Sequence, residues 1–193
     1  MHERLLAGRH PRLQNSGMSA TGSDSSDLVV SSLRVMLFRD LRSLDDQIAA
    51  YPDDESLWKI APGIANSAGN LALHLVGNLR HFFGATLGGS GYVRDRDTEF
   101  STRGLSRGEV RAQVQQAINE VDAALEKVTA ETLGSAYPLA IGEKSVRTAE
   151  FLVHLAVHLT YHLGQIDYHR RLLTNDPKVV ENVSIRVLPE ASG

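Results

Sequence analysis

HLAVHLTYHLGQ, residues 154–165, carries a histidine at every fourth position: His154, His158 and His162. Residues four apart lie one above the other on an α-helix. At about 100° per residue, the three imidazoles drift only about 80° around the axis and so form one stripe. Leu152, Leu155, Ala156, Leu159, Leu163 and Ile166 make much of the remaining circumference apolar, which predicts that the stripe faces a core. A buried imidazole needs partners for both nitrogens or a metal ion, because an unpaired polar group in an apolar interior is costly. One such histidine is ordinarily a hydrogen-bonded core residue, whereas three in succession are hard to satisfy without an ion or a polar cavity. A pair at i and i+4 can reach one ion but supplies only two ligands. A third must come from elsewhere in the chain.

Upstream, HLVGNLRHF (residues 74–82) lies in a segment whose pattern predicts a helix from about Ser67 to Leu87, stopped by Gly88-Gly89. His74, Asn78 and His81 share one face of it. His81 sits nearer the C-terminus, where an exposed histidine is favoured by the helix dipole. Leu33, Leu37, Leu41, Leu44 and Ile48 recur at spacings of three and four and predict an earlier helix, capped by Ser25 or Ser26 and ended before Pro52. Leu57, Trp58 and Ile60 are placed to pack the following connection onto the body. Ser106-Arg107-Gly108-Glu109 is a capping-box pattern opening another helix, with Val110, Val114, Ala117, Val121, Leu125 and Val128 on its buried stripe. The histidine helix should run to about Thr174, where Asn175-Asp176-Pro177 stops it. Four amphipathic helices of about twenty residues predict an all-α four-helix bundle, whose core is a usual place for a metal held by facing helices.

Between these helices, GGSGYVRDRDTEF (residues 88–100) reads as a loop whose charged residues pair with one another or line the mouth of a site. Residues 131–147 read as a loop with a short hairpin around YPLAIGEKSV. Val183, Ile185 and Val187 alternate with polar residues, predicting a short strand or extended C-terminal tail. Residues 1–25 read as a disordered N-terminal lead-in, within which Met18 is an alternative start. Residues 26–193 then form a single domain.

Composition narrows the function classes. With 193 residues, 42% hydrophobic and 22% charged, the chain is long enough for one substantial core. A formal charge of −3 gives no reason to expect nucleic acid or an anionic membrane as partner. The chain has no cysteine, which removes disulfides, thiolate ligands and a cysteine nucleophile together, and fits a reducing cytoplasm. No apolar run approaches the roughly 20 residues needed to span a bilayer, and the polar, arginine-bearing start has no secretory pattern.

A ferritin-like di-iron site would need Glu-x-x-His pairs, and no histidine here has glutamate three positions before it. The zinc-protease pattern His-Glu-x-x-His is also missing. In a bundle, His74 is the natural third ligand for His158 and His162, while the pair His154 and His158 is geometrically as good in isolation. Periodicity alone does not choose between them.

HLVGNLRHF, then RDRDTEF at 94–100, then HLTYHLGQI at 158–166, resembles the DinB-like (DNA-damage-inducible) superfamily, in one of its uncharacterised branches. The resemblance spans roughly residues 28–175. It implies a four-helix bundle, commonly a homodimer, with a divalent metal on three histidines that map onto His74, His158 and His162. Zinc is the first choice, with nickel, manganese or iron as alternatives. His154, one turn before the mapped pair, takes a supporting or core role in this reading.

Characterised members of the superfamily include metal-dependent thiol transferases that use small thiols such as bacillithiol or mycothiol, and a thiol-dependent isomerase. The resemblance therefore implies a metal-dependent enzyme transferring a low-molecular-weight thiol to an electrophilic small-molecule substrate. A hydrolase on the same site, or a non-catalytic metal-stabilised dimeric stress-response or binding protein, are the alternatives. Asn78, Tyr161 and Gln165 are candidates for orienting ligands or substrate. Despite its name, the superfamily resemblance implies no DNA binding.

Overall fold

The computed structural model describes the backbone of residues 20–24 and the whole of residues 25–180 and 184–190. The expected lead-in up to residue 19 lies outside the described residues. Helix α1 spans Ala20–Ala49, beginning before the Ser25/Ser26 cap that the sequence suggests. Leu33, Leu37, Leu41, Leu44 and Ile48 are all buried, so the spacing of three and four does set its inner face. A short α2 (Asp54–Trp58) follows, capped by Asp53.

Helix α3 (Ala68–Leu79) is capped by Ser67, whose side chain accepts from the Asn70 N–H at 3.2 Å. Every residue of α3 is buried, which marks it as the innermost element. Gly69 lets the Trp58 ring lie against it, since a Cβ there would sit 2.7 Å from ring carbons, and the Trp58 indole N–H donates to the Leu105 carbonyl at 2.8 Å. From Arg80 to Leu87 the helix continues with π geometry, a widened register that is frequent at functional sites. Periodicity alone predicts an unbroken α-helix here.

The stretch expected as a loop at 88–100 contains a helix, α4 (Arg96–Ser101), capped by Asp95. Six residues cannot sustain a helix alone. The Asn70 side-chain amide donates to the carbonyls of Glu99 (3.0 Å) and Thr102 (3.1 Å), so α3 supplies partners at the far end of α4.

Helix α5 (Arg107–Leu125) opens on the Ser106–Glu109 capping box and buries its valine stripe. A short α6 (Ala130–Gly134) leads into the expected hairpin region. There two isolated bridges, Ala136 with Arg147 and Ile141 with Lys144, form around a turn at Gly142. Helix α7 (Thr148–Thr174) carries the histidine stripe and ends at Asn175 in the left-handed conformation.

Of the two readings of Val183, Ile185 and Val187, the described residues carry the tail and not the strand: residues 176–180 and 188–190 form neither helix nor strand, Ile185–Val187 form a single 3₁₀ turn, and Val183 lies outside the described residues. An all-helical body offers no strand edge with which an alternating segment could pair. Among the described residues no helix is long and apolar enough to cross a membrane.

Helix α1 packs on α5 and α7, and α3 packs on the same two, which makes a four-helix bundle with α1 diagonal to α3. Phe82 meets Phe151 (5.0 Å between ring centres) while His74 meets His158, so α3 and α7 run antiparallel. Truncating a wholly buried leucine such as Leu37 or Leu159 in this core costs about 2–5 kcal/mol.

Candidate metal centre

Antiparallel packing of α3 on α7 brings His74 opposite His158 and His162. One ring nitrogen from each lies within 4.8 Å of the other two. The Nε2 atoms of His74 and His158 are 3.3 Å apart. Two nitrogens bound at 2.0–2.1 Å to a tetrahedral zinc would lie about 3.3–3.4 Å apart. His74 is buried, and the other two are half-buried, which leaves one side open.

The outer faces of these rings decide which nitrogen points inward. His74 Nδ1 lies 3.0 Å from Glu99 Oε2. A carboxylate only accepts, so Nδ1 carries the proton and Nε2 presents its lone pair to the cluster. His162 repeats the device, its Nδ1 donating to Gln165 Oε1 at 2.7 Å. This is the arrangement in which a ligating imidazole is oriented by an oxygen behind it. His158 differs, because its Nδ1 is buried without a protein partner.

Glu99 is positioned from several sides. Arg94 donates from Nε to Oε1 (2.6 Å) and from Nη2 to Oε2 (2.9 Å), a two-pronged pairing of guanidinium with carboxylate. Arg94 Nη2 also lies 3.3 Å from His74 Nδ1. Gly77 clears the space, since a Cβ at that position would lie 2.1 Å from Glu99 Oε1. Burial by itself would raise the Glu99 pKa, but the hydrogen bonds from Arg94 and His74, with the Arg94 charge, hold it below the ordinary carboxylate value.

Burial pushes the His158 pKa down to about 4, and the neighbouring rings of His162, His74 and His154 and the Arg94 charge push the same way. Burial also lowers His162, against the opposing effect of its bond to Gln165. Both rings are therefore neutral near pH 7, the form that binds a metal. The all-imidazole donor set, the inward Nε2 atoms and the 3.3 Å spacing are compatible with a divalent metal, and imidazole suits zinc, copper, iron and nickel.

Two expectations are corrected. His154 is exposed and takes no core role; its ring stacks against Phe151 (6.0 Å, 13°) and lies 6.2 Å from that of His158. The 40° or so of drift per four residues has carried it off the inner face. His81 is half-buried rather than exposed, with its Nδ1 sealed and without a protein partner, and burial lowers its pKa.

Asn78 is buried with an unpartnered Oδ1, and Tyr161 is exposed with its ring 5.2 Å from that of His162. Glu99 is the residue that helical periodicity could not place. Its signal was the RDRDTEF motif, and both readings of that stretch meet in Glu99, which pairs with Arg94 and also lies against His74.

Comparison with known proteins agrees with this architecture. A search among curated proteins matched none. The crystal structure of a DinB-like protein from Bacillus cereus ATCC 10987 superposes with a TM-score of 0.57, at 19% sequence identity, over 72% of this chain and 88% of that one. That likeness establishes the fold. The family described as "Protein of unknown function (DUF1572)" matches residues 25–185. With most of its length inside that match, the chain belongs to the DUF1572 family, a DinB-like family.

Proposed function

We propose that this protein is a metal-dependent enzyme that holds one divalent cation, zinc in the first place, on His74, His158 and His162 and transfers a low-molecular-weight thiol to an electrophilic small molecule. The observation that carries this reading is the engagement of Nδ1 at His74 and His162 by Glu99 and Gln165, which leaves the Nε2 lone pair of each free for an ion in a cluster where the ring nitrogens lie within 4.8 Å of one another. When bound, such a cation supplies Lewis acidity and keeps a coordinated thiol deprotonated near neutral pH. The chain has no cysteine, so the sulfur belongs to a co-substrate. The thiol loses its S–H proton, its sulfur bonds to the electrophilic carbon, and the group displaced there leaves with the bonding electron pair.

The residues around the cluster serve that chemistry by position. Glu99 fixes the His74 tautomer, and Arg94 neutralises Glu99, so the outer shell adds no net charge to the site. Three neutral imidazoles leave a bound divalent ion its full charge and an open position.

Elemental analysis of protein purified without a histidine tag is expected to find one divalent ion per chain, lost in His158→Ala. Loaded protein should then consume a small thiol in the presence of monochlorobimane, while metal-free protein and His158→Ala should not. Bound metal with ester hydrolysis and no thiol consumption would replace this reading by the hydrolase. Bound metal that raises thermal stability without any turnover would replace it by the non-catalytic, metal-stabilised protein.

A further inference from the structure

We propose that a cavity of about 440 Å³ beside the histidine cluster seats the uncharged, largely apolar body of the electrophilic substrate. This inference rests on reading the cluster as a metal site. The cavity lies between α7 and the segment 61–66, with Leu71, Gln165, Tyr168 and Leu172 among its walls. Leu71 is one turn before His74 on α3, and Gln165 is one turn after His162 on α7. Gln165 touches both places: its Oε1 holds the His162 ring while its side chain lines the cavity. Through Leu71 and Gln165 the cavity lies within one helical turn of two of the three histidines.

The walls state what fits. No aspartate, glutamate, lysine or arginine lines the cavity. His169 contributes only ring surface, because its Nε2 donates to the Lys59 carbonyl (2.8 Å) and its Nδ1 accepts from the Tyr51 hydroxyl (2.6 Å). Asn66, Tyr168 and the amide nitrogen of Gln165 are the polar groups available, few among apolar ones, as in most small-molecule sites. The volume falls at the lower end of the roughly 300–1,000 Å³ that holds ligands of drug size. Gly63, at φ 85°, takes the left-handed turn within the segment 61–66 that forms one wall.

A thiol bearing several carboxylates finds no charge partner here, so the cavity suits the electrophile. Neither this cavity nor the larger groove of about 730 Å³ between α1 and α7, lined by residues such as Leu28, Met36 and Val157, is lined by the three histidines themselves, but of the two only this cavity has a wall residue, Gln165, whose side chain is hydrogen-bonded to one of them.

The probe is benzyl mercaptan, a sulfur head on an apolar ring, compared with 2-mercaptoethanol. In metal-free protein, ¹³C-methyl spectra are expected to shift at Leu71 and Leu172 on titration with benzyl mercaptan. In cobalt-loaded protein, followed by the sulfur-to-metal absorption band, benzyl mercaptan should bind at least about tenfold more tightly than 2-mercaptoethanol. Leu172→Trp, at an exposed position that tolerates change, should fill the cavity and reduce that preference to about threefold or less, leaving cobalt uptake intact. Ile64→Trp on the facing wall should act alike.

Methyl shifts without cobalt uptake would leave the cavity standing and remove the metal reading. Cobalt uptake with no preference, or with a preference that neither tryptophan abolishes, would overturn the cavity proposal and leave the metal reading standing.

Discussion

Helix α7 carries histidines of two kinds, and the difference lies in how their nitrogens are used. Toward its C-terminal end, His169 has both nitrogens occupied, one by the Tyr51 hydroxyl and one by the Lys59 carbonyl. Beside it, the fully buried Arg170 donates to Gln47 at 2.8 Å, and Gln47 donates to Asp167 at 2.8 Å. In that region the protein itself uses both nitrogens of the histidine. In the middle of the helix, His162 has an oxygen partner behind the ring, and its neighbour His158 faces His74 across 3.3 Å. His169 is buried, whereas His158 and His162 are half-buried. A histidine that could hold an ion is recognised by a nitrogen the protein has oriented but not used.

Removing one ring from each region tests that distinction most severely. His158→Ala is expected to weaken zinc binding beyond the ~100-fold that loss of an outer partner can cause, as read by calorimetric titration. Unchanged zinc affinity would place the ion elsewhere or nowhere. Glu99→Gln should reduce zinc affinity by about 10–100-fold, because the amide no longer holds the His74 Nδ1 proton with a full negative charge. Gly77→Ala, which drives a methyl group into Glu99, should move affinity in the same direction.

His169→Ala should do the reverse. It should leave zinc affinity unchanged while costing about 1–3 kcal/mol in chemical denaturation, since the Tyr51 hydroxyl and Lys59 carbonyl lose their partner. A drop in zinc affinity there would erase the contrast between the two regions.

Acid gives the smallest and most graded effect. In the metal-free protein, burial holds the His158 pKa at about 4, against 6.5 for an ordinary histidine. On acidification the unfolded chain takes the proton first. This contribution to stability is therefore whole above about pH 6.5 and is lost progressively as pH falls toward about 4. His169, also lowered by burial, works in the same sense. The melting temperature of metal-free protein should decline between about pH 7 and about pH 5, and less steeply in His158→Gln. An identical slope in the variant would show that His158 is not the group responsible.

Much of the bundle was legible because it rests on apolar spacing. The leucines of α1, the capping box at Ser106–Glu109 and the stop at Asn175 needed only local rules. That His74, His158 and His162 come together was implied by the family resemblance, since helical spacing left His154 with His158 as good a pair. What escaped depends on neighbours distant in sequence. Helix α4 exists because Asn70, about 30 residues earlier, supplies its last carbonyls with donors. The π register of Arg80–Leu87 leaves no trace in a count of threes and fours. His154 shares the stripe of the two ligand candidates but faces solvent, since rotation along a helix is finer than periodicity by eye resolves. The tail beyond α7 alternates like a strand, yet pairing needs an edge that no helix provides.

The hold of Asn70 on α4 makes a distant segment an indicator of what happens at His74. Glu99 contributes its backbone to one grip and its carboxylate to the other, so whatever tightens the ring also steadies the peptide behind it. Amide exchange along Thr98–Thr102, none of which would touch an ion, should slow when one arrives. Those amides would then give an occupancy signal without any probe at the centre itself.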